Sequence, residues 1–201
     1  MTKRIAALYV HPNGPYYGHE QIDPWGLPYL DACEYIGPYP VIAHPPCARW
    51  SQLAGLTEKM YGLKIGADGG CFKHALWAVR RFGGVLEHPA YTKAYAQYGL
   101  IGPPTKGGWI KSDAFGYSCC VHQVMYGHKA RKSTWLYCVN TIRPKLIWGY
   151  DQALIKAFVS NCDGRYGKIK RLGKKDSEVT PKLFFDLLVD LAQSCYESEG
   201  L

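Results

Sequence analysis

Two short segments carry the residue types best able to do chemistry. The first is Val41-Ile42-Ala43-His44-Pro45-Pro46-Cys47-Ala48-Arg49-Trp50-Ser51. Here an apolar run suited to a buried strand ends in a diproline, and the next residue is a thiol. Prolines fix their own φ and limit how such a loop can move. In an open α/β sheet, ligands bind outside the carboxyl ends of the strands, so Cys47 is expected at the mouth of a sheet. His44 and Arg49 beside it would favour the thiolate, the reactive form of cysteine. Position alone is equally consistent with a small buried hydrophobe. The second segment is Gly83-Gly84-Val85-Leu86-Glu87-His88-Pro89-Ala90. A few strand residues end in Glu87, a carboxylate placed for acid–base work if the same sheet presents the thiol. Taken alone, Glu87 also fits a solvated strand terminus.

The elements around these segments must bring them together. Ile5 to Val10 is a continuous apolar run, ended by Pro12-Asn13-Gly14-Pro15, and reads as a buried strand followed by a turn. Residues 11–39 are rich in Gly, Pro and Tyr and read as mostly loop. Val41-Ile42-Ala43 is a second strand. Gly69 to Phe82 reads as a helix, because Phe72, Ala75, Leu76, Val79 and Phe82 recur at helical spacing and Gly83-Gly84 stops the segment. Val85-Leu86 is a third strand. Strand, helix, strand in this order predicts a crossover between parallel strands. Residues 99–108 are loop, and Thr134 to Val139 is strand-forming by its β-branched and aromatic content. The last helix runs from about Pro181 to Gln193, with Thr180 as its cap. No internal repeat or domain boundary is visible. The expected architecture is one domain over residues 1–201, an α/β fold with a reduced, Rossmann-like, mostly parallel sheet and flanking helices.

Composition narrows the partners. The chain has 201 residues, 47% hydrophobic, enough for one domain with a real core. Lys+Arg 24 against Asp+Glu 16 leaves +8, an excess that suits nucleic acid. Much of that charge falls in residues 163–176, which read as a flexible basic loop carrying Arg165, Lys168, Lys170 and Arg171. The same loop is equally consistent with a solvated segment that binds nothing. Eight cysteines are scattered with no C-x-x-C pair, so no metal site is expected. Cys119-Cys120 with His122 and His128 is a weak exception, since adjacent cysteines rarely bind one ion together. Neither a signal peptide nor a membrane-spanning run is read from the sequence, and free thiols suit a reducing cytoplasm. Trp109, Trp135 and Trp148 could stack on bases, although core packing is the commoner fate of tryptophan.

Taken together, the two segments resemble the DNA (cytosine-5) methyltransferases. Pro45-Pro46-Cys47 with Ser51 is similar to that family's Pro-Pro-Cys strand end, and Glu87-His88-Pro89 to its Glu-Asn-Val or Glu-Asn-Pro strand end, with His88 where the family has Asn. Tyr126-Gly127-His128-Lys129-Ala130-Arg131-Lys132-Ser133-Thr134 resembles the Tyr-Gly, basic segment and strand of small phage-type members. The end of the chain, from Val179-Thr180-Pro181, is also similar to theirs. The matched blocks keep the family's order from about residue 40 to 192.

The resemblance implies a chemistry and a set of roles. Cys47 would add to C6 of a cytosine flipped out of its stack, and Glu87 would act at N3 and the amino group. Arg131 would orient the base, and C5 would then take a methyl group from S-adenosylmethionine. The cofactor would be held by Asn13 and Gly14 after the first strand, by Asp23 at the ribose, by Asp31 at the adenine end, and by Pro45. The familiar Phe-x-Gly-x-Gly signal is absent from the loop after the first strand. Arg49, Ser51, Lys129 and Lys132, with Arg165, Lys168, Lys170 and Arg171, would contact DNA, RNA remaining open. Two rival expectations stand beside this one. The first is a pyrimidine-modifying enzyme with another cofactor, and the second an inactive nucleic-acid-binding module.

Overall fold

A computed structural model describes residues 3–159 and 169–198. Four short strands form a parallel half: β1 (Ile5–Leu8), β2 (Ile22–Trp25), β3 (Val41–Ala43) and β4 (Gly84–Pro89). Between β3 and β4 lie the helices α1 (Ala54–Tyr61) and α2 (Cys71–Phe82), and α3 (Lys93–Gln97) follows β4. An antiparallel half is made by β5 (Ile110–Lys111), β6 (Tyr117–His122) and β7 (Ser133–Val139). The chain closes with α4 (Lys174–Glu178), α5 (Lys182–Gln193) and α6 (Cys195–Ser198). The sheet order is β2-β1-β3-β4-β7-β6-β5, with β7 joined antiparallel to β4.

The structure overturns the expectation of a Rossmann-like, mostly parallel sheet with flanking helices. The seven strands form a mixed sheet curled into a half-barrel, and only 30% of the chain is helical. Among the described residues, three of the six strand pairings are antiparallel. The reason is visible in the connections. A parallel neighbour needs a crossover of a dozen or more residues, usually a helix. Only residues 123–132 separate β6 from β7, and they hold a single short turn of helix.

The parallel strands are apolar on both faces because both faces are covered. Ala6, Leu8, Val41, Ala43 and Leu86 pack under α2, whose Phe72, Ala75, Leu76, Ala78 and Val79 are buried. Ile5, Ala7, Ile42 and Val85 face the opposite way onto α5, through Phe184, Leu188, Leu191 and Ala192. Proline in β2 is tolerated because that strand lies at the edge of the sheet. Residues 11–39 are therefore less of a plain loop than expected, since β2 and a helical turn at Ala32–Glu34 lie within them. Helix α5 begins one residue later than its cap signal suggested, with Pro181 at the cap position and no side-chain capping bond. Among the described residues no helix is long and apolar enough to cross a membrane.

Candidate active site

The site begins with the pairing of β3 and β4. Ala43 is in register with Leu86, so His44 and Glu87 are the next residues along two neighbouring parallel strands. Their side chains meet, with His44 Nδ1 3.1 Å from Glu87 Oε2. Close backbone approach keeps these strands together: a Cβ on Gly84 would lie 2.0 Å from the Val41 carbonyl oxygen, and its φ of 112° favours glycine.

Both ring nitrogens of His44 are engaged. Nε2 lies 2.6 Å from the Tyr16 hydroxyl. Tyr16 comes from the connection after β1 and is buried against Phe185 of α5, with ring centroids 5.0 Å apart. The other Glu87 oxygen accepts a hydrogen bond from Gln123 Nε2 at 3.3 Å, and Gln123 also donates to Thr134 Oγ1 at 2.9 Å. Burial pushes the Glu87 pKa up, but the hydrogen bond from His44 and the charges of His44, Lys132 and His88 outweigh it, leaving the carboxyl below its ordinary value. Glu87 is thus an ionised carboxylate fixed by donors on both oxygens.

Cys47 is exposed at the end of the His44-Pro45-Pro46 segment, with Pro45 buried beneath it. The protein around the thiol raises its pKa, and the Glu87 charge raises it further, whereas Lys132 lowers it. The cation that acts on the thiol is therefore Lys132, not His44 or Arg49 as the local sequence suggested. Lys132 acts on both Cys47 and Glu87 from the turn before β7, where its φ is 38°. Glu178, at the end of α4, also acts on the thiol, which places α4 near the site.

The remaining expected residues divide clearly. The Arg131 guanidinium is occupied by Tyr150: it donates to the hydroxyl at 3.3 Å and lies over the ring, 5.1 Å from its centroid. Arg49 and Ser51 follow Cys47 on the same turn, their backbone carbonyls accepting from Gly66 and Ala54. Lys129 is exposed, and its carbonyl ties down Lys156 and Ala157. Arg165 and Lys168 lie outside the described residues. Lys170 and Arg171 are exposed, but Arg171 bridges to Phe158 and α4 begins at Lys174, so the described end of the basic segment is structured.

The expected cofactor residues serve their own turns. The Asn13 and Gly14 amides donate to the His11 ring and carbonyl at 3.1 and 2.8 Å. Asp23 accepts from the Trp25 indole at 3.0 Å, and Asp31 caps the Ala32–Glu34 turn through the Cys33 amide at 2.9 Å. These contacts do not make the acidic, glycine-rich cradle that S-adenosylmethionine would need.

Three residues of the site escaped the sequence reading. His44 was read as a helper of the thiol, but the strand register turns it to Glu87. Tyr16 and Gln123 arrive from distant segments with no local signal. His88, at the position where the resembled family has Asn, is fully buried with its ring 5.1 Å from Phe72, and neither ring nitrogen makes a hydrogen bond of good geometry. Burial lowers its pKa to about 4, against the opposing pull of Glu87 and the Pro46 backbone. Trp135 is a core residue, and Trp109 packs edge-on against Trp148. No family model, curated protein or solved structure matches the chain.

Proposed function

We propose that this chain activates a cytosine of nucleic acid for substitution at C5, with Cys47 as nucleophile and Glu87 as the group that holds the base edge. The observation carrying this reading is an exposed thiol in the turn after β3 and a largely buried, donor-fixed carboxylate within the neighbouring β4, the charge of the carboxylate acting on the thiol. A thiolate adding to C6 makes C5 enamine-like and able to attack an electrophile. Glu87 accepts from the exocyclic amino group and passes a proton to N3, which neutralises the charge that develops as the C–S bond forms. Lys132 favours the thiolate and offers a contact to phosphate. The net charge of +8 suits a polyanionic substrate.

The electrophile is a separate question. S-adenosylmethionine is the donor that the resemblance implies, but Asn13, Gly14, Asp23 and Asp31 do not fit it, so no step is derived through it. The activation half is tested without any donor, because reversible addition at C6 exchanges the C5 hydrogen with solvent. Incubation of cytosine-containing single- and double-stranded DNA, and of RNA, in deuterated buffer is expected to label C5, read by mass spectrometry of the released nucleosides. Absence of label in all three would sink the reading. Calorimetry with S-adenosylmethionine then decides the donor, and nucleoside analysis of DNA from cells expressing the chain decides the product.

A further inference from the structure

Two further thiols lie outside the site described above. Cys33 sits in the helical turn Ala32–Glu34, and Cys71 is the first residue of α2. The turn packs on that helix, with Ala32 and Tyr35 in the same core as Phe72 and Ala75. This packing leaves the two sulfurs 3.9 Å apart. Cys119, Cys120, Cys138 and Cys195 are buried, whereas Cys33 and Cys71 are both only half-buried. The Tyr9 hydroxyl lies 3.4 Å from the Cys33 sulfur and 3.3 Å from His74 Nδ1. His74 Nε2 is 3.1 Å from the Tyr35 carbonyl oxygen. A carbonyl only accepts, so Nε2 carries the ring hydrogen. Burial lowers the His74 pKa, against the Tyr35 backbone and the Asp31 charge, and the ring is neutral. Its Nδ1 therefore accepts from Tyr9. Tyr9 reaches this position with a φ of 61°, a conformation that aromatic residues rarely adopt. The turn, the end of β1 and the start of α2 are thus tied together around the sulfur pair.

We propose that Cys33 and Cys71 are a dithiol site that a small-molecule disulfide oxidises reversibly, joining the Ala32–Glu34 turn to α2. The site is independent of the cytosine reading. A bond between the sulfurs needs their gap to close by about 2 Å. Among the described residues no group of three or more Cys, His, Asp or Glu side chains could hold a metal ion, so the pair is read as a redox site. Burial, then the charge and hydrogen bond of Cys33, push the Cys71 thiol up to about 12, so Cys71 keeps its proton and is the second sulfur to react. The Cys33 thiolate attacks one sulfur of the small disulfide, whose S–S bond breaks and releases one thiolate. Cys33 then carries no charge, which removes part of what held the Cys71 proton. Cys71 loses that proton and attacks the Cys33 sulfur, and the second small thiolate leaves. The two protons from the protein end on the two leaving thiols. The protein is oxidised by two electrons and the small disulfide is reduced to two thiols. The new bond spans 38 residues of chain, a stretch that includes β3, His44 and Cys47.

The test exposes the whole folded chain to millimolar glutathione disulfide, followed by digestion without reductant and peptide mass spectrometry. Cys33 and Cys71 are expected to appear in one cross-linked peptide pair, which dithiothreitol separates. Glutathione retained on Cys33 or Cys71 without the cross-link would overturn the proposal, as would two thiols left unmodified. In Cys71→Ser the second step is blocked, so Cys33 should hold glutathione as a lasting mixed disulfide. An unmodified Cys33 in that variant would also count against the pair. A melting curve supplies a readout from the wild type alone. Closing so long a loop should raise the Tm of the oxidised wild type above that of the reduced protein by about 5 °C or more. The rise should vanish in Cys33→Ser and in Cys71→Ser. An oxidised wild type that melts no higher than the reduced one would show that the bond does not fit this fold, and would overturn the site.

Discussion

His44 and Glu87 occupy matching positions one residue beyond the Ala43–Leu86 pair of two parallel strands, with Nδ1 and Oε2 3.1 Å apart. The pairing of β3 with β4 makes them partners, and the thiol three residues after His44 feels the charge of the same carboxylate. Most of the chemistry argued for this protein depends on that one register.

The Cys47 thiol should be removable at little structural expense. Cys47→Ala is expected to leave the urea midpoint within about 0.5 kcal/mol of wild type, as for an exposed residue. C5 exchange is expected to fall by about 1,000-fold or more. A variant retaining wild-type exchange would refute the nucleophile.

Thiol reactivity should respond to its two charged neighbours in opposite directions. Lys132 lowers the Cys47 pKa and Glu87 raises it. Alkylation of Cys47 by iodoacetamide near neutral pH, followed by peptide mapping, should slow about two- to five-fold in Lys132→Met and quicken by a similar factor in Glu87→Gln. Arg131→Met, whose guanidinium is held by Tyr150, should alter the rate less than Lys132→Met.

His88 should make the fold acid-sensitive. Its folded pKa of about 4 lies below the ordinary 6.5, so between these values the unfolded chain binds a proton that the folded chain refuses. Stability from this residue is fully present above about pH 6.5 and is lost as pH falls toward 4, at most by about 3 kcal/mol. Thermal melts of His88→Leu should fall less than wild type over that window. Parallel curves would refute the assignment.

Glu87 contributes in a more acidic window. Its folded pKa is depressed, so its stabilisation is present above the ordinary glutamate value and disappears as pH falls through the folded one. The wild-type advantage over Glu87→Gln should therefore shrink steadily below about pH 4.5. An advantage that grew on acidification would contradict the hydrogen-bonded carboxylate.

The strand contact itself is open to test at Gly84. A methyl group there collides with the Val41 carbonyl at a φ that side chains rarely adopt. Gly84→Ala is expected to destabilise the protein by about 3 kcal/mol or more in denaturant titration. Any folded remainder should lose C5 exchange, because His44 and Glu87 would no longer be in register.

Local pattern determined a good part of this protein. The apolar runs Ile5–Leu8, Val41–Ala43 and Val85–Leu86 became buried strands, and the helical spacing of Phe72 to Val79 and of Leu183 to Leu191 became α2 and α5. The end of the strand before Cys47 was legible because a diproline breaks the chain there, whereas β4 runs on through Glu87 to Pro89, so Glu87 is a paired strand residue and not the strand end that its sequence suggested. Such signals depend on neighbours within a turn or a pleat, so sequence carries them directly. The tertiary structure alone decided that β6 and β7 return antiparallel and turn the expected Rossmann-like sheet into a half-barrel. It alone joined Tyr16 to His44 and Gln123 to Glu87, and let the Lys132 charge act on the thiol while Arg131 turned to Tyr150. Those choices belong to contacts between segments far apart in the chain. Such contacts are settled by which strand edges pair and which faces are buried together, and no local residue pattern encodes that competition.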